Sequence, residues 1–124
     1  MRVLQVPVTT TGVPGSGVGT GTVGLPWGRL VALAIDWDGA APGTSDIVVS
    51  AILPVGAAKV LYTKANSAAD VPLIQTRVLA KDSAGVDIAG AYVEPVIGGH
   101  LLVTVADCDA LDPAVTVTLV IEVD

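Results

Sequence analysis

The chain has 124 residues, which fits one domain and lets it bury roughly two-thirds of the surface that its unfolded form exposes. Hydrophobic residues make up 52% and charged residues only 15%, against a usual charged share of about 25%, so part of the apolar surface is expected to be covered by other copies or by a larger partner. The net charge is −6 and all six basic residues precede position 82, which disfavours nucleic acid, because neutralising phosphates takes clustered Lys and Arg.

Residues 3–9 alternate as a short strand. Residues 10–24 then lose all periodicity, and their glycines carry a large entropy cost on ordering. The expectation is a flexible arm or long loop, so that residues 1–26 form a strand plus Gly-rich arm and residues 27–124 the folded domain. Residues 29–37 put Val31, Leu33, Ile35 and Trp37 on one face, with Leu30, Ala32 and Ala34 on the other, as in a strand buried on both sides. Asp38-Gly39 opens a turn-rich loop that ends near Asp46.

Residues 47–53 and 58–63 read as consecutive antiparallel strands, the first stopped by Pro54. A small-residue loop over 64–72, with room for one helical turn, leads to a strand over 73–81. Asp82-Ser83-Ala84-Gly85 is a turn signal, since Asp suits the first position of a turn and Gly the last. Further strands are expected over 86–88 and 91–96, and over 101–106 after a turn at Gly98-Gly99. The clearest strand comes last: Val115, Val117, Leu119, Ile121 and Val123 share one face, with Thr116, Thr118 and Glu122 on the other. Seven to nine short strands with no helical period predict an all-β fold, an antiparallel β-sandwich or jelly-roll-like barrel.

No pattern points to a catalytic centre. Gly19-Thr20-Gly21-Thr22-Val23-Gly24 has the spacing of a dinucleotide fingerprint, but Leu25-Pro26-Trp27 follows where a helix N-terminus would be needed to hold a pyrophosphate. His100 is the sole histidine and reads as a turn or interface residue. Cys108 is the sole cysteine, which excludes a disulfide framework and a multi-thiolate zinc site and fits manufacture in a reducing compartment. Its neighbours Asp107 and Asp109 disfavour a thiolate. The sets Asp107, Asp109, Asp112 and Asp36, Asp38, Asp46 offer clustered oxygens without the closing Glu of a calcium loop, so they read as turn formers. Neither cofactor nor metal is expected.

Gly, Pro, Asp and Thr break every apolar run well short of the roughly 20 residues that span a bilayer, and residues 1–7 lack the h-region of a signal peptide. The expectation is therefore a soluble protein without a membrane partner. The residues assigned to partner contacts are Val13, Pro14 and Val18 in the arm, and the four aromatics Trp27, Trp37, Tyr62 and Tyr92 as core or interface anchors.

From about Leu30 to Val123 the chain resembles the small decoration, or cement, proteins on the heads of tailed bacteriophages. The resemblance is carried by Ala34-Ile35-Asp36-Trp37-Asp38-Gly39, Leu61-Tyr62-Thr63, Arg77 with Asp82-Ser83-Ala84-Gly85, Ile88-Ala89-Gly90, Leu101-Leu102-Val103-Thr104-Val105-Ala106 and Val115-Thr116-Val117. It implies a non-enzymatic virion structural protein, often trimeric, made in the host cytoplasm and bound to the major capsid protein on the outer shell. The Gly-rich arm would then be a tether that orders on the shell. Other phage virion modules (head fibre, tail or head-completion protein) and a carbohydrate-binding or adhesin sandwich are the alternative readings.

Overall fold

A computed structural model describes residues 1–54, 58–75, 77–81 and 83–123. The chain is all-β, with nine strands and no helix among the described residues: β1 Arg2–Val8, β2 Gly17–Trp37, β3 Asp46–Ile52, β4 Ala58–Lys64, β5 Val71–Gln75, β6 Val78–Lys81, β7 Asp87–Val93, β8 Val96–Cys108 and β9 Val115–Val123. Seven belong to one antiparallel sheet in the order β1-β9-β2-β8-β3-β4, with β5 also on β2, while β6 and β7 form a separate hairpin. The architecture is the sandwich- or barrel-like one that the alternation predicts.

The organising element is β2. Its first part pairs with β8 from Gly17 to Arg29, and its second part pairs with β9 from Gly28 to Trp37. Two bulges let one strand serve both walls of the fold. At the first, Pro26 and Trp27 stand against the single residue Gly98, because Leu25 pairs with Gly99 and Gly28 with Ile97. At the second, Val31 is the extra residue between Leu30 and Ala32, which pair with the adjacent Ile121 and Val120. That inserted residue breaks the strict alternation expected over 29–37. Leu30 therefore joins Leu33, Ile35 and Trp37 in the core, and Val31 is only partly buried.

The Gly-rich segment is not a loop from residue 17 onward, and the expected boundary between residues 26 and 27 falls inside β2. Gly19 and Gly21 show why. A side chain on Gly19 would run into the carbonyl oxygen of Thr9, and one on Gly21 would stand 2.9 Å from the carbonyl oxygen of Pro7 and 3.0 Å from methyl groups of Val6 and Val8. Glycine here removes the Cβ so that β1 can lie against β2 at backbone distance. The approach is fastened where Thr11 and Val18 exchange main-chain hydrogen bonds of 2.9 Å.

The core lies between the two walls. β1, β9 and the second part of β2 supply Val6, Val8, Val117, Leu119, Leu33 and Ile35, facing Ile47 and Val49 of β3 and Leu101, Val103 and Val105 of β8. Each such side chain gains about 1.5–3 kcal/mol by leaving water.

Two further expectations change. Gly98-Gly99 is not a turn but lies within β8, where Gly99 takes a φ of 79°. The single strand expected over 73–81 is two strands of different sheets, β5 and β6, with Thr76 outside the described residues. The expected turn begins at Asp82, also outside the described residues, and its Gly85 has a φ of 81°.

Gly19→Ala should destabilise the protein by about 1–3 kcal/mol in urea unfolding, because the added methyl meets backbone that cannot move aside. Gly24, where an added methyl group would meet nothing within 4 Å, supplies the control: Gly24→Ala should stay within about 0.5 kcal/mol of the parent.

Candidate functional site

The exposed apolar residues are concentrated around β5, the β6–β7 hairpin and the start of β8. Leu73, Val86, Ile88, Tyr92, Val93 and Val96 are all exposed there. In β7, Ile88, Ala89, Tyr92 and Val93 are all exposed. Among the described residues β6 and β7 pair only with each other. A two-stranded sheet paired with nothing else is marginal in water.

At the foot of the hairpin an open groove of about 660 Å³ runs between Arg29 and Val31 of β2, Gln75 at the end of β5 with Arg77 after it, and Tyr92 of β7 with Glu94 just beyond that strand. A second, of about 580 Å³, continues from it past Arg29 and Val96 to Trp27 and Glu122. Most polar groups along this furrow are paired: Arg29 Nη2 lies 3.2 Å from Glu122 Oε1, and Arg77 Nη2 donates to Gln75 Oε1 at 3.0 Å. Glu94 Oε2 is buried and accepts no hydrogen bond among the described residues. Trp27 is pushed outward by its bulge and remains 62% exposed although its indole lies over Gly98, where a Cβ would come within 2.6 Å of Cδ2.

The residues assigned to partner contacts divide. Trp27 and Tyr92 flank the furrow, and Val13, Pro14 and Val18 are exposed at the opening of the β1–β2 connection. Tyr62 is half-buried against the core. Trp37 is 6% exposed and faces inward beside Leu33 and Ile35, the core position of the two readings given to the aromatics. Glu94 and Gln75 were not singled out by the sequence, and Arg77 only within the family resemblance, because only the fold brings them beside β2.

The remaining chemistry-bearing residues hold turns. Asp38 Oδ1 accepts from the Ala40 amide at 2.8 Å, Asp109 Oδ1 from the Gly15 amide at 2.9 Å, and Asp112 Oδ1 from the Thr9 hydroxyl at 2.7 Å. Asp70 Oδ1 accepts from the Trp37 amide at 2.7 Å. His100 is exposed and Cys108 fully buried on the same strand, eight residues and about 25 Å apart. Among the described residues no three His, Cys, Asp or Glu side chains converge on a common metal position.

Asp46 and Asp107 form a carboxyl–carboxylate pair at one end of the sandwich. The Asn66 amide, at 2.8 Å, and then the hydrogen bond from Asp107 hold Asp46 below its ordinary value of 3.8. The hydrogen bond to Asp46 and its negative charge push Asp107 above 3.8.

No protein-family model, curated protein or solved structure matches the chain. Its site must therefore be read from its own geometry.

The carboxyl pair has a signed consequence. Folded Asp107 keeps its proton where the unfolded chain has lost it, so its contribution to stability falls as pH rises from 3.8 towards its raised pKa. Asp46 acts oppositely, and its contribution is lost as pH falls below 3.8. Asp107→Asn keeps a donor towards Asp46 and suits the φ of 52°. Urea unfolding between about pH 3 and pH 7 should show that this variant loses the decline above 3.8 while retaining the decline below it.

Proposed function

We propose that this chain is a non-enzymatic structural protein of a virion, which binds the outer capsid surface as a homo-oligomer, a trimer by preference, and stabilises the head. The observation that carries the reading is the β6–β7 hairpin. It pairs with no other strand among the described residues, and its Ile88, Tyr92 and Val93 are exposed, as is Leu73 of β5. An apolar projection of this kind is a liability on a free monomer and an anchor in an assembly.

The composition supports the same reading. Charge is scarce, and eight of the twelve acids lie from Asp82 onward while every basic residue lies before it. Such a surface disfavours phosphate backbones and suits docking onto protein through apolar and main-chain contacts. The major capsid protein is the proposed partner. Binding that occurs only to the assembled shell adds its free energy to the shell's stability.

Capsids stripped of the protein should disassemble at lower temperature, or at higher residual salt on dilution, than capsids carrying it. Ile88→Asp and Leu73→Asp should weaken capsid binding by about tenfold or more while leaving the fold intact, read by co-sedimentation with the shell. Equal resilience of bare and decorated capsids would remove the proposal.

A further inference from the structure

We infer that the furrow from Trp27 to Arg77 is a binding site for a neutral saccharide. This goes beyond the capsid reading and does not rest on it. One end is an aromatic platform. Trp27 sits at a bulge, one face of its indole rests on the backbone of Gly98, and 62% of the residue remains exposed, so an open ring face is presented rather than a packed edge. Tyr92, 60% exposed, supplies a second aromatic surface at the hairpin end. Flat apolar faces separated by polar groups suit pyranose rings, which carry C–H groups on their faces and hydroxyls around their rims.

The polar groups between them select the charge of the ligand. Arg29 is balanced by Glu122 at 3.2 Å, while Arg77 donates to the neutral Gln75 at 3.0 Å and has Glu94 on the same groove to balance its charge. Among the described lining residues two arginines and two glutamates leave the furrow with no net charge. What it lacks among the described residues is a donor for the buried Oε2 of Glu94. A buried acceptor without a partner costs about 1–3 kcal/mol, and a ligand hydroxyl would relieve it. A ligand of neutral charge, many hydroxyls and apolar ring faces meets all three conditions.

The test is a fluorescence titration of the full chain with malto-, cello-, galacto- and N-acetylglucosamine oligosaccharides. Trp27 is the exposed tryptophan and Trp37 the buried one, so ligand stacking should shift the emission to the blue and shield it from acrylamide, saturably, for at least one sugar series. Trp27→Ala should abolish the response, and binding followed independently by calorimetry should weaken about tenfold or more. Glu94→Gln should weaken binding with the platform intact, Trp27→Phe should restore part of what Trp27→Ala loses, and Ile88→Asp, placed outside the furrow, should change nothing. No saturable binding to any of the four series, or calorimetric binding that survives Trp27→Ala in a folded protein, would overturn the assignment.

Discussion

The backbone approach of β1 to β2 over Gly19 and Gly21 is the constraint on which the rest of this structure depends. Those two positions carry no Cβ, and that absence brings the Thr9 and Pro7 carbonyls against the strand. With β1 seated, Val6 and Val8 close the core, and β9 is held between β1 and the second part of β2. Glycine in a strand interior costs conformational entropy and loses side-chain packing. Here the apolar area sealed by β1 offsets that cost.

The same strand places the surface features. The bulge that opposes Pro26 and Trp27 to Gly98 turns an indole outward, and the unbroken alternation after Val31 turns Trp37 inward with Leu33 and Ile35. Two tryptophans ten residues apart thus have opposite environments, one 62% and the other 6% exposed. Apolar surface is not spread evenly over the molecule. Much of it gathers on β5, β7 and the first residue of β8, while at one end of the sandwich aspartates secure the turns by accepting main-chain and hydroxyl hydrogen bonds. One end is fixed by polar closure, and the other side offers a surface to be covered.

Much of the fold was legible. β9 alternates cleanly because one face is fully buried and the other is not, and β3 and β4 begin and end close to where the turn residues put them. The failures have physical causes. Residues 17–24 read as a loop because glycine carries no side-chain periodicity, and only the opposing β1 backbone reveals its purpose. The faces of residues 29–37 were misassigned because an inserted residue at Val31 flips the parity without changing composition. Of the candidate site, the aromatic ends Trp27 and Tyr92 could be picked out as anchors. The polar floor could not, since Gln75, Arg77 and Glu94 acquire meaning only from long-range pairing.

Amide hydrogen exchange over residues 17–24, compared with residues 101–106 of β8, tests the central claim most directly. If β2 is one continuous strand sealed by β1, the hydrogen-bonded amides of the Gly-rich segment should exchange through the same global unfolding as those of β8. Exchange of the whole segment at the rate of an unstructured peptide, with β8 still protected, would contradict it.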